Sequence, residues 1–147
     1  MPLQEKLLND LKTAVLNRDT SRKTLIRYLR SAIHDVEIER KAVLDDESII
    51  DILTKQAKQR RDSIEAFKSG GRLDLVEIEE TELAIIMEYL PEQMTKTEIE
   101  FLAQKAVDQS GAKTTQEIGK VMGILMPLLK GKADGKVVSR IVSKLLN

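Results

Sequence analysis

The sequence predicts an all-α protein, and three observations carry that expectation. Apolar residues recur at three- and four-residue spacing along almost the whole chain, no stretch alternates with a convincing period of two, and the breaks between periodic segments hold capping residues, glycine or proline. The order of the breaks predicts two helical domains: long antiparallel helices over 1–93 and a compact bundle of short helices over 94–147.

The first helix follows Pro2, a residue suited to an opening turn, and carries Leu3, Leu7, Leu11, Ala14 and Val15 on one face. Asp19, Thr20 or Ser21 can cap the second, whose stripe is Leu25, Leu29, Ile33 and Val36. The acidic cluster "DDES" at 45–48 favours the positive end of a third helix, which runs through Ile49, Leu53, Ala57, Ile64 and Phe67 to a stop at Gly70-Gly71. A fourth helix is predicted from about Arg72 to Leu90, ending against Pro91, with six carboxylates and no basic residue after Arg72. Thr95-x-x-Glu98 is a capping box for a fifth helix that Gly111 ends, and Thr114-x-x-Glu117 reads as a second box. Ile118, Val121, Met122 and Leu125 then line a helix that Pro127 should kink or shorten. Asp134 can cap a last helix with Val137, Val138, Ile141, Val142 and Leu145 turned inward.

Composition narrows the function. With 24 basic and 24 acidic side chains the net charge is zero, so the whole molecule has no bias toward polyanions. The charge is unevenly spread, however: from Gly111 onward seven basic residues face two acidic ones, a basic end on a neutral whole. The absence of cysteine excludes disulfides, thiolate metal sites and a cysteine nucleophile. No apolar run reaches the roughly 18 residues of a membrane span, and the N-terminal segment has no signal-peptide core, so no membrane association and a cytoplasmic location are expected.

Catalytic machinery is not legible. The only histidine, His34, stands four positions after Arg30 on a helical surface, and there is no P-loop, dinucleotide fingerprint or paired-histidine metal motif. The carboxylates between Asp74 and Glu88 read as a solvated face with basic helices for partners rather than a metal site. No cofactor, metal ligand or catalytic residue is therefore assigned.

The basic residues say more. Lys136, Arg140 and Lys144 recur every four positions, on one side of the last helix, with no acid three or four positions away on that helix. Lys23, Arg27 and Arg30 form a second stripe, continued by His34. Like charges at such spacings cost a few tenths of a kcal/mol each. That cost is offset either by helix termini and acids elsewhere in the fold or by a phosphate backbone. Between the two apolar helical stretches at the end of the chain lies "LKGKADGK" (129–136). Its Gly131 and Gly135 permit positive φ or close approach, Lys130, Lys132 and Lys136 gather at one bend, and a helix N-terminus follows. That combination is a reasonable phosphate-binding shape.

"GKVMGILMPLLKGKADGKVVSRIVSKLL" (119–146) closely resembles the C-terminal tail of the B subunit of tRNA-dependent amidotransferases. Together with "KQRRDSIEAFKSGGRLDLVEIEETELAIIMEYLPEQ" (58–93) it is similar to the small free-standing relatives of that tail, the YqeY family, over nearly the whole chain. The resemblance implies a domain that helps to hold the body of a tRNA. It carries over Gly119, Lys120, Gly123, Lys130, Gly131, Lys132, Ala133 and Asp134 as residues that shape or contact such a surface, and none that makes bonds. Three readings stay open: a module binding tRNA or structured RNA through phosphates, an accessory component of a carbon–nitrogen ligase that uses glutamine as amide donor and needs amidotransferase-type partner subunits, and a protein–protein adaptor docking through the acidic helix. The RNA candidates are Lys120, Lys130, Gly131, Lys132, Lys136, Arg140 and Lys144, with Lys23, Arg27 and Arg30. Two Phe and two Tyr are too few for a stacking platform, so recognition by shape and phosphate is expected.

Overall fold

A computed structural model describes residues 1–147 and contains only helices and their connections. It divides into two compact units, Met1–Leu90 and Pro91–Asn147.

The first unit holds α1 (Leu3–Leu16), α2 (Thr20–Arg40), α3 (Asp46–Ser69) and α4 (Leu73–Met87). Two of the four starts have a local side-chain cause. The Asp19 carboxylate accepts from the Arg22 N–H at 3.1 Å, and Asp45 accepts from the Ser48 N–H at 2.9 Å, so each caps the helix that follows. Between α3 and α4 the chain reverses at Gly70-Gly71, where Gly71 has φ 70°, open to a residue without Cβ. Leu7, Leu11, Leu25, Ile26, Leu29, Ile33, Ile49, Leu53, Ala57, Ile85 and Ile86 form one core. Val15, expected on the inner face, is 46% exposed, because a residue beside Ala14 is turned about 100° from it. Helix α4 stops at Met87, short of the expected Leu90; the N–H groups of Glu88, Tyr89 and Leu90 turn to carbonyls three residues back as the chain tightens before Pro91.

The acidic helix is largely neutralised within this unit. Arg22 meets Glu88 at 2.7 Å, Arg60 meets Glu82 at 3.4 Å, Lys68 meets Glu80 at 3.9 Å and Arg72 meets Asp74 at 3.1 Å. Nowhere in the structure do three or more acidic or histidine side chains gather to hold a metal ion.

The second unit holds α5 (Lys96–Ser110), α6 (Ile118–Leu125) and α7 (Gly135–Leu146), with short 3-10 turns at Thr115–Glu117 and Met126–Leu129. Thr95 caps α5 by accepting from the Glu98 N–H at 3.2 Å, and Gly111 closes it at φ 71°. The second capping box differs from expectation. The Thr114 side chain caps nothing; instead the Glu117 carboxylate accepts from the Lys113 N–H at 3.3 Å while the chain makes a 3-10 turn. Pro127 shortens α6 as expected, and the Met126–Leu129 turn carries the chain onward. Ile99, Ala103, Val121, Leu125, Leu129, Val138, Ile141, Val142 and Leu146 fill the core. Val137 and Leu145, expected inward, are 37% and 38% exposed. They flank the buried stripe of α7.

Candidate nucleic-acid interface

The bend that precedes α7 is built from both of its sides. Gly131 takes φ 72°, a left-handed conformation in which a Cβ would be strained. Its carbonyl accepts from the Gln93 side-chain amide at 2.7 Å, and the next carbonyl, that of Lys132, accepts from the Met94 N–H at 2.8 Å. Leu129, fully buried, anchors the start of the bend. Gly131 is itself buried, so it shapes the bend and offers no contact surface of its own. Gly135 has an ordinary negative φ and needs no special freedom.

The start of α7 is not an open anion site. The Asp134 carboxylate accepts from the Lys136 N–H at 3.1 Å, which uses a donor that a phosphate would need and places a negative charge at the positive helix end. The sequence reading of this N-terminus as a phosphate cradle is corrected on that ground.

The cations themselves fall into two groups. Lys132, Arg140 and Lys144 are exposed, and none has a carboxylate within ion-pair distance. Lys130 and Lys136 are exposed too, but both also have partners within the fold. Lys120 pairs with Glu117 at 3.4 Å; the Lys113 N–H first, and then this pairing, hold the Glu117 carboxyl below the usual carboxylate range. On α7, seven-residue spacing sets Val137 and Lys144 nearly in line, with Arg140 beside them.

Across from that line stands α5. Lys96 and Glu100 from α5, with Val137, Arg140, Ile141, Lys144 and Leu145 from α7, enclose a groove of about 290 Å³. Its rim carries three cations and one carboxylate, and Lys96 already pairs with Glu100 at 3.9 Å. Sequence reasoning missed Lys96. Its place in the first turn of α5 was legible; that this turn faces α7 follows only from packing.

Lys23, Arg27 and Arg30 belong to the other unit, on α2. Arg27 and Arg30 are exposed, Lys23 is half-buried, and none of the three has an ion-pair partner. Gln4, Leu7, Arg27, Arg30, Ser31, Ile33, His34 and Glu37 line a second groove of about 280 Å³. His34 stands 3.9 Å from Glu37 at its edge. The Glu37 carboxylate accepts from the Leu44 N–H at 2.9 Å and the Gln4 amide at 3.0 Å, and these donors hold its pKa below the ordinary value.

Comparison with known proteins adds the family context. A family model described as Yqey-like protein matches residues 4–146. Among curated proteins, "Altered inheritance of mitochondria protein 41, mitochondrial" of Lachancea thermotolerans is 42% identical over 99 residues, 67% of this chain and 53% of that protein. Its namesake from Eremothecium gossypii is 42% identical over 85 residues, 57% of this chain and 46% of that protein. The namesake from Saccharomyces cerevisiae strain YJM789 is 36% identical over 133 residues, 90% and 63% respectively. The chain thus spans about half to two-thirds of the length of these relatives. Their names are mitochondrial, which overturns the cytoplasmic expectation. That expectation leaned on cysteine usage, which does not separate one reducing compartment from another.

Proposed function

The chain belongs to the Yqey-like protein family, and from that premise we propose that its C-terminal unit binds tRNA or another structured RNA through phosphate contacts. The single observation that carries the reading is the exposed, carboxylate-free trio Lys132, Arg140 and Lys144, presented by a bend and a helix that the core holds rigid. Three cations without an ion-pair partner, one in the bend and two on α7, raise the local potential although the chain is neutral overall. Lys96 and Lys136 stand beside them, and each phosphate neutralised releases counterions, which supplies affinity without base recognition. The Met94 hydrogen bond fixes the Lys132 peptide group, so less backbone order is lost at the moment of binding. Lys23, Arg27 and Arg30 stand on α2 of the other unit, and this reading does not draw on them.

A filter-binding assay with total tRNA at low salt, including mitochondrial tRNA because of the relatives' names, tests the proposal. The wild-type chain should bind at micromolar protein or below. The Lys132→Glu/Arg140→Glu/Lys144→Glu variant should lose binding with an unchanged circular dichroism spectrum. Equal binding by the two proteins, or none by either, contradicts it.

A further inference from the structure

We infer that the groove between α1 and α2 in the N-terminal unit is a binding site for a phosphate monoester, gripped by Arg27 and Arg30. The site does not depend on the RNA reading, because its residues lie on a different unit and a different helix.

The placement is a consequence of helical spacing. Positions 27, 30, 31 and 34 fall on one face of α2, so two guanidiniums, the Ser31 hydroxyl and the His34 ring share one wall. The opposite wall comes from α1, through Gln4. Leu7 and Ile33 are buried and make a floor that holds the walls apart.

The two arginines have no protein anion. The nearby Glu37 carboxylate accepts from the Leu44 N–H and the Gln4 amide through one oxygen and has His34 at 3.9 Å from the other, and it makes no ion pair with Arg27 or Arg30. Two like charges three positions apart on a helix are mutually unfavourable, and a bound anion removes that cost.

The donor count selects the anion. Each guanidinium presents five N–H donors in a planar fork, and Ser31 adds a hydroxyl. A single carboxylate brings two oxygens and one charge, and leaves one of the two positive charges uncompensated. A phosphate monoester brings three terminal oxygens and nearly two charges, and so engages both arginines at once. The groove, about 280 Å³, also has room for part of the esterified group.

Isothermal titration calorimetry in phosphate-free buffer tests this with ribose 5-phosphate, ribose and acetate. Ribose 5-phosphate should bind saturably at one site per chain, at least about tenfold tighter than acetate, and ribose should not bind. Arg27→Gln/Arg30→Gln should weaken ribose 5-phosphate by about tenfold or more with the thermal midpoint retained, since both side chains are exposed. Lys132→Glu/Arg140→Glu/Lys144→Glu should bind it as the wild type does, whatever that variant does to tRNA. A short oligoribonucleotide with a 5′-phosphate, set against its 5′-hydroxyl form, separates two sources of the same chemistry. Equal affinity for ribose 5-phosphate and the phosphorylated end identifies the phosphate alone as the ligand; tighter binding of the phosphorylated end identifies an RNA terminus. Binding equal to acetate, absence of binding at millimolar ligand, or indifference to the two arginine substitutions overturns the inference.

Discussion

The Met94 N–H donates to the Lys132 carbonyl oxygen at 2.8 Å, joining the segment before α5 to the bend before α7. With the Gln93 amide on the Gly131 carbonyl at 2.7 Å, it pins two successive peptide groups of the lysine-bearing bend. The bend is therefore a fixed part of the C-terminal unit.

That pinning sets the cost of loosening it. Gln93→Ala removes a part-buried donor from the Gly131 carbonyl and should destabilise the chain by about 1 kcal/mol, read as a shift in the urea midpoint. Gly131→Ala forces a Cβ into a left-handed residue and should cost about 1–2 kcal/mol. Gly135→Ala, at a helical position with only Met126 Cε near at 3.9 Å, should be neutral or stabilising. Equal costs at the two glycines would contradict the assigned geometry.

The cores make a second set of expectations. Leu53 and Leu129 are fully buried, one in each unit, and truncation of either to alanine should cost about 2–5 kcal/mol. The exposed Leu128, one residue from Leu129, should tolerate alanine within about 0.5 kcal/mol. Thermal or denaturant unfolding of the three variants checks this.

Tyr89 links α1 to the end of the α4 segment by donating its hydroxyl to the Asp10 carboxylate, and the Lys6 ammonium lies 5.1 Å from its ring centre. Burial first, and then that hydrogen bond, push the phenol well above its ordinary pKa. Tyr89→Phe should cost about 1 kcal/mol, and in a spectrophotometric titration it should remove a tyrosine component that ionises only well above the ordinary tyrosine range.

Acid should weaken the fold in a defined window. Glu37 and Glu117 have folded-state pKa values lowered from 4.5 by hydrogen bonds to the backbone N–H groups of Leu44 and Lys113. Their contribution is complete above the unfolded value and is lost as pH falls through the folded one. The melting temperature should therefore fall as pH drops from about 5 to 3. Glu37→Gln should flatten part of that decline; an unchanged acid limb would show that its hydrogen bonds are not stabilising.

Much of the fold was legible because it is locally encoded. Thr95 and Asp134 cap the helices they were expected to begin, Asp19 is the cap among the three candidates offered, Asp45 of the acidic cluster caps α3, and Gly71 and Gly111 close helices where stops were expected. Val137 and Leu145 were misplaced because periodicity gives a face but not its width; how far the inward arc of α7 extends is decided by α5 packing beside it. The same limit hid Lys96 and Gln93, whose partners lie 38 positions away in the case of Gln93. The Asp134 cap was expected, yet its effect on an incoming anion follows only from seeing its carboxylate on the Lys136 N–H. Charge spacing marked Arg27 and Arg30 as unusual; that they border a groove, with Glu37 in its lining bound to the Leu44 N–H, required the tertiary fold.

The salt dependence of tRNA binding tests the central claim most directly. If Lys132, Arg140, Lys144 and one neighbouring cation each neutralise a phosphate, log affinity should fall against log salt with a slope of roughly −3, reduced by about one for each of the three changed singly to a neutral residue. A slope near zero, or one that these substitutions leave unchanged, would contradict it.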